Sequence, residues 1–281
     1  MPRSNRRSLL EHSNDTPPSG KRVAPSGEHV AAIERGLAVL EVIGTGGAQG
    51  NAELAEATGL AKSTVARITG TLLRLGYVAE GAGGRGYQIA SRAVALGYSY
   101  LALHDVSEIV RPLLREIADE FPVAASLVAR EDLEMIYLSQ ARSRSARLMI
   151  NVAIGSRIPL AISAGGRAYL AGCILPVRAS LLKELALADS RGWPAQEQAT
   201  KVAFKEYAQF GYCSAFNVNG SGINAVSTPL SFNGQLYSLT CAGPATLAST
   251  EIMKRVVGPK LVERRRLLEQ SFSPPAPRGR P

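Results

Sequence analysis

The stretch Glu53-Leu54-Ala55-Glu56-Ala57-Thr58-Gly59-Leu60-Ala61-Lys62-Ser63-Thr64-Val65-Ala66-Arg67-Ile68 decides the reading of the first part of this chain. It divides into two short helices at Gly59. Ala55, Gly59 and Val65 stand where a helix-turn-helix needs a small residue, a tight turn and a core contact. Leu54, Leu60 and Ile68 complete the apolar face. That leaves Lys62, Ser63, Thr64 and Arg67 on the outward face of the second helix, and all four reach phosphates or base edges. A unit of this kind reads double-stranded DNA.

The flanks extend the unit. Upstream, Val30–Ile43 carries Ile33, Leu37, Leu40 and Ile43 at helical spacing, and Gly44-Thr45-Gly46-Gly47 is expected to end that helix. Downstream, the second helix runs to Leu75, where Gly76 stops it. Tyr77–Glu80 and Tyr87–Ile89 flank the glycine-rich Gly81–Gly86 as a β-hairpin, so three helices and a hairpin predict a winged helix-turn-helix over residues 29–90. Arg85 at the hairpin tip is placed to face the DNA backbone. The plainer alternative for Arg85 is an ordinary surface arginine on a flexible loop.

The chain has 281 residues, enough for two domains of ordinary size. Its formal charge of +9 suits a polyanionic partner, although a charge excess alone is also what a solvated surface shows. Part of the excess lies outside the motif, in Arg3, Arg6, Arg7, Lys21 and Arg22 and in Arg264, Arg265, Arg266, Arg278 and Arg280. Three widely spaced cysteines, Cys173, Cys213 and Cys241, have no metal-ligand spacing and read as reduced thiols. There is no secretory leader pattern and no apolar run near the ~20 residues of a membrane span, so a cytoplasmic protein is expected.

Residues 1–28 and 273–281 are polar or proline-rich arms, expected to be disordered. A helix over 91–105 leads into a second domain over 106–272. There, helix Val106–Phe121 is followed by strands Ala124–Arg130, Glu134–Gln140 and Arg147–Val152, with a turn at Glu131-Asp132. Helices are expected at Ala164–Cys173, Val177–Leu187 and Ala195–Gly211. Strands Ile223–Ser231 and Gln235–Ala242 flank Asn233-Gly234, a strong hairpin signal. A last helix spans Thr250–Gln270. The sum is an α+β chain whose second domain has one mainly antiparallel sheet.

At this point the chain resembles a known family. The winged unit and connecting helix are followed by Ile158-Pro159-Leu160-Ala161-Ile162-Ser163-Ala164-Gly165-Gly166-Arg167-Ala168-Tyr169-Leu170-Ala171. Then come Gly211-Tyr212, Ile223-Asn224-Ala225-Val226-Ser227-Thr228-Pro229-Leu230 and Ala242-Gly243-Pro244. The order over residues 29–270 is similar to the IclR family of bacterial transcription regulators, with Arg167 standing where the family usually has lysine. The resemblance implies a GAF-like effector domain for a small organic acid. It implies DNA binding as a homodimer or dimer of dimers, and control of catabolic operons, often for aromatic acids.

The segment Ser163–Gly166 precedes an apolar helix. Small residues there leave backbone N–H groups at a helix N-terminus, where the dipole favours a carboxylate, although a capping serine and a tight turn read the same way. By resemblance the effector walls are Ile150, Ile158, Ala164, Gly165, Gly166, Ala215, Ala225, Thr240 and Ala242. Some relatives carry a carboxylate near Ala215 and serines at positions 240 and 242. The loss of polar groups here points to an aromatic or longer acid rather than glyoxylate.

No cofactor, metal site or enzyme chemistry is expected. His12, His29 and His104 all lie outside the second domain, which leaves Cys241 without a base, and it reads as a small buried hydrophobe. Glu131, Asp132 and Glu134 lie in and beside a turn, where a solvated face is the simpler reading than a catalytic carboxylate pair. Trp193 beside Pro194 reads as a loop anchor. The rival hypothesis is a metabolite-binding or enzymatic domain whose winged unit serves protein interaction. An architectural DNA binder without an effector is disfavoured by the large second domain.

Overall fold

The computed structural model describes residues 30–46, 49–102, 106–143 and 153–272. The two arms, the strand expected at Arg147–Val152, Ile150 and the three histidines lie outside the described residues.

The first core gathers around α1 (Ala31–Gly46), α2 (Asn51–Thr58) and α3 (Lys62–Leu75). Val39, Ile43, Leu54, Val65 and Val78 are buried together, with Leu40, Ala55, Leu60, Ile68, Tyr87 and Ile89 packed around them. Gly59 has φ 69°, which is the left-handed turn that separates α2 from α3, and Gly76 ends α3 with φ 76°. The Glu53 carboxylate accepts from the Gly50 N–H at 2.8 Å and closes the start of α2. Strands β1 (Val78–Glu80) and β2 (Tyr87–Ile89) pair antiparallel as the wing.

Two details differ from the sequence expectation. Helix α1 continues through Gly44 and Thr45 to Gly46, because neither glycine turns left-handed and Thr45 Oγ1 donates back to the Glu41 and Val42 carbonyls. Glycine inside a helix costs about 1 kcal/mol but does not by itself stop it. Only the second half of the α1 stripe is buried: Ile33 is 62% and Leu37 55% exposed.

Helix α4 (Ser91–Ala102) follows the wing, and α5 (Val106–Glu120) opens the second unit. Among the described residues that unit holds a six-stranded antiparallel sheet in the order β5-β4-β3-β8-β7-β6. Its strands are β3 (Ala124–Glu131), β4 (Glu134–Arg142), β5 (Arg157–Pro159), β6 (Cys213–Phe216), β7 (Ile223–Phe232) and β8 (Gln235–Pro244). The turn between β3 and β4 is Asp132-Leu133 rather than Glu131-Asp132, since Glu131 still pairs with Glu134 and Asp132 takes φ 51°. Asn233 and Gly234 have φ 48° and 74°, the pair of left-handed residues that a two-residue hairpin requires.

Both sheet faces are covered. On one, Leu127, Val226, Leu239 and Cys241 pack with Val110, Leu114 and Ile117 of α5. Leu261 of α10 (Gly258–Phe272) joins the same cluster. The short α9 (Thr250–Ile252) reaches α10 through a π-helical turn, Met253–Val257, and Tyr212 donates to the Lys254 carbonyl that this turn presents. The other face carries α6 (Ala164–Gly172), α7 (Leu175–Ala188) and α8 (Trp193–Phe210). Trp193 opens α8 and packs with Leu181 and Leu185. No helix among the described residues is long and apolar enough to cross a membrane.

Candidate DNA interface and ligand face

Helix α3 is held by its buried side and leaves the other side open. Val65 and Thr69 are buried, whereas Lys62, Ser63, Ala66, Arg67, Gly70 and Thr71 are exposed, with Thr64 at the border. No residue of α3 is acidic, and among the described residues Lys62, Arg67 and Arg85 have no carboxylate partner. The exposed side is therefore a cationic strip at the spacing of one helix face.

A short polar chain fixes this helix to its neighbours. Thr69 Oγ1 donates to Asn51 Oδ1 at 3.2 Å, and Asn51 Nδ2 reaches the Tyr87 hydroxyl at 3.5 Å. It joins α3, α2 and the wing through side chains that sequence reasoning missed. The signal for it, a threonine on the buried side of an apolar helix, is weak.

The wing is docked by its backbone. Gln49 and Tyr87 exchange N–H···O=C bonds of 3.2 and 2.9 Å, and Gly86 lies so close that a Cβ there would meet Gln49 backbone atoms at 2.6–2.7 Å. With φ 67° as well, position 86 accepts only glycine without a shift of the backbone. Arg85 stands exposed beside it. The basic run near the C-terminus is partly consumed inside the fold: Arg264 pairs with Glu116, and Arg265 with Glu269.

The second candidate site lies on the α6 side of the sheet. Residues paired across an antiparallel ladder share a face, so register identifies what α6 covers. One row runs Arg142, Ala124, Ala242, Ala225, Ala215. The next runs Gln140, Ser126, Thr240, Ser227, Cys213. Three residues named from the sequence, Ala215, Ala225 and Ala242, thus stand side by side, with Thr240 two residues along the same face. Ala225 and Ala242 are half-buried, and Ala215 is buried.

Helix α6 starts over this face. Ser163 caps it, its hydroxyl accepting from the Gly166 N–H at 3.0 Å. A Cβ at Gly165 would lie 3.0 Å from Val128, 3.1 Å from Thr240 Oγ1 and 3.9 Å from Ile158, which places Ile158, Gly165 and Thr240 together. Gly166 is tighter still, against the Leu160 carbonyl. The Gly165 carbonyl accepts from Ser238.

Buried Arg167 donates to the Ala161 and Ser214 carbonyls, while Glu206 accepts from the Ser214 N–H and hydroxyl. These bonds tie α6, β6 and α8 behind Ala215. Burial lowers the Arg167 pKa, against which Cys213 and Glu206 act.

The remaining chemistry is sparse. Cys173, Cys213 and Cys241 are buried free thiols. Glu131 and Glu134 share Arg157 at 2.9 and 3.4 Å on the surface. Among the described residues no group of three His, Cys, Asp or Glu side chains is placed to hold a metal ion.

Residues 32–81 match the model of the IclR helix-turn-helix domain, and residues 98–235 match that of the bacterial transcriptional regulator IclR C-terminal domain. The chain is 28% identical over 236 residues to the HTH-type transcriptional regulator TsaQ1/TsaQ2 of Comamonas testosteroni, covering 83% of this chain and 84% of that one. An IclR family transcriptional regulator from Brucella abortus superimposes with a TM-score of 0.71 at 30% identity, over 89% of this chain and 97% of the other. An IclR homologue from Microbacterium hydrocarbonoxydans, solved in complex with 4-hydroxybenzoate, shares the fold at 18% identity and a TM-score of 0.63, over 84% and 99%.

Proposed function

The chain belongs to the IclR family of DNA-binding transcriptional regulators, and on that premise we propose that it controls a catabolic operon in response to a small, aromatic organic acid. The single observation that carries the DNA reading is the acid-free face of α3, with Lys62, Ser63 and Arg67 exposed over a buried Val65 and Thr69. In this reading α3 enters the major groove, where Arg67 and Lys62 meet base edges or phosphates and Ser63 and Thr64 add hydrogen bonds. Arg85 on the wing touches the backbone.

The effector lies on the α6 face of the sheet, against Ile158, Ala215, Ala225, Thr240 and Ala242. Its carboxylate meets the start of α6 at Ala164 and Gly165, since the Gly166 N–H already serves Ser163. An alanine floor suits a flat ring. The 4-hydroxybenzoate held by the M. hydrocarbonoxydans homologue is a ligand of that kind.

The protein works in the cytoplasm as a homodimer or dimer of dimers. The exposed Ile33 and Leu37 of α1 continue the buried stripe of that helix and form an apolar face that a second copy covers. Effector binding then needs only a few kcal/mol of differential affinity to change how two DNA-reading units are held.

A mobility-shift assay on DNA upstream of the gene, with and without a panel of aromatic acids, tests this reading. A specific shift altered by one acid is expected. Binding no tighter than to unrelated DNA, or indifference to every acid, contradicts it.

A further inference from the structure

Helix α3 and the helix that leaves the winged unit are fastened end to end. Gly76 closes α3 in the left-handed conformation, its N–H donating to the Leu73 carbonyl, while the Tyr77 N–H donates to that of Leu72. The Leu75 carbonyl, an orphan of the helix end, accepts from Arg92 Nη1 of α4 at 3.0 Å. The same guanidinium lies over the Tyr77 ring, 5.7 Å from its centroid. Its stem crosses the turn itself, since a Cβ at Gly76 would stand 3.9 Å from Arg92 Cδ. A backbone bond of 2.9 Å from the Ala90 N–H to the Tyr77 carbonyl completes the grip of residues 90–92 on residues 75–77.

An arginine at a helix C-terminus commonly does no more than satisfy carbonyls and the dipole. Arg92 differs in where it comes from. It belongs to α4, and beyond its first turn that helix leaves Val94 64% and Leu96 59% exposed, with Gly97 open as well. Neither Val94 nor Leu96 joins the winged core around Val39 and Val65. Among the described residues, the direction in which α4 leaves the winged unit therefore rests on the grip at 75–77. The chain passes from the winged unit to the sheet by way of this helix. A rotation of α4 is felt first at the C-terminal end of α3, about two turns beyond Arg67 and clear of Lys62 and Ser63.

Resting on the effector reading above, we propose that Arg92 is a positioning residue: it holds α4 to the end of the recognition helix, and through it an acid bound on the sheet alters how α3 sits on DNA. Arg92 touches neither ligand. With the grip released, each unit still binds its own ligand, and the two sites cease to influence one another.

Fluorescence anisotropy of the full-length protein on labelled DNA from upstream of the gene tests this, with and without saturating benzoate, 4-hydroxybenzoate or phenylacetate. The ratio of the two affinities measures the coupling, and calorimetry without DNA gives each acid's own affinity. Wild type is expected to show a ratio of about fivefold or more with at least one of the three acids. Arg92→Ala should bring that ratio to about twofold or less, with acid-free DNA affinity and acid affinity each within about threefold of wild type. Circular dichroism verifies folding. Should Arg92→Ala not fold, Arg92→Met, which retains the apolar stem and gives up every donor, replaces it. A wild-type ratio in the folded variant overturns the assignment and leaves the effector reading standing. Loss of acid-free DNA binding in the variant also overturns it, because Arg92 would then serve the reading head itself, and loss of acid binding does so by placing Arg92 at the pocket. No effect of any of the three acids on wild type overturns the effector reading and the assignment together.

Discussion

Arg67 leaves α3 two residues after buried Val65, on the side without a carboxylate, so its charge is available to DNA. Should it meet a base, Arg67→Ala is expected to cost about 1–3 kcal/mol and to relax preference at particular base pairs of the operator. Arg85, on the wing, should behave otherwise: Arg85→Ala weakens all sequences alike and lowers the slope of log affinity against log salt by about one. Titrations at several salt concentrations separate the two.

The thiols give a pH prediction. Burial pushes Cys173 up to about 11 and Cys213 and Cys241 up to about 12, while the unfolded chain ionises its cysteines near ~8.5. A raised folded value stabilises the native state fully below the unfolded one, and that contribution is lost as pH rises toward 11–12. Urea denaturation should therefore show stability falling above pH ~9. At pH 8 a thiol reagent should modify the native protein slowly and the unfolded protein at all three cysteines. Rapid labelling of the native state would show that a buried thiol is accessible.

At the scale of elements, the Thr69–Asn51–Tyr87 chain sets α3 against the wing. Thr69→Val takes the donor from Asn51 Oδ1 and should destabilise the winged unit by about 1–3 kcal/mol, read as a lower thermal midpoint. An unchanged midpoint would show that the chain does not hold the helix.

The helices and long strands are legible in the sequence because each carries a sustained period and a glycine or Asx stop. Gly59, Gly76 and Asn233-Gly234 all take the left-handed conformation that their use as punctuation requires. Helix α1 ends at Gly46, inside the glycine-rich run that marks its stop rather than before it, because sequence does not show φ and Gly44 and Gly46 stay helical. Strands β5 and β6, three and four residues long, escape detection because so few positions cannot display alternation. Of the candidate ligand face, Ala215, Ala225 and Ala242 come from the resemblance, and register aligns them in one row. Ser126, Ser227 and the bonds of Arg167 have no signal of their own in the sequence. They depend on which strands are neighbours, and β3 meets β8 only after more than a hundred intervening residues. A Cβ at Gly165 would meet Val128 and Thr240 at 3.0 and 3.1 Å, a closeness that the run of small residues does not by itself reveal.

At the scale of the whole molecule, the core around Val39 and Val65 shares no residue with the cores of the sheet. A fragment beginning at Val106 should therefore fold, bind the acid and fail to bind operator. A fragment that is folded by circular dichroism but binds no acid that the full chain binds would place part of the pocket in the winged unit or α4. In the intact protein, linkage requires reciprocity: an acid that changes operator affinity by some factor has its own affinity changed by the same factor when operator is present. The central claim, that α3 reads DNA, is tested most directly by fluorescence anisotropy of labelled DNA from upstream of the gene. Wild type should be compared with a Lys62→Ala, Arg67→Ala double variant that melts at the wild-type temperature. Specific binding is expected to fall at least tenfold in the variant while weak non-specific binding persists. Equal operator affinity in the two proteins would contradict the assignment of α3 as the recognition helix.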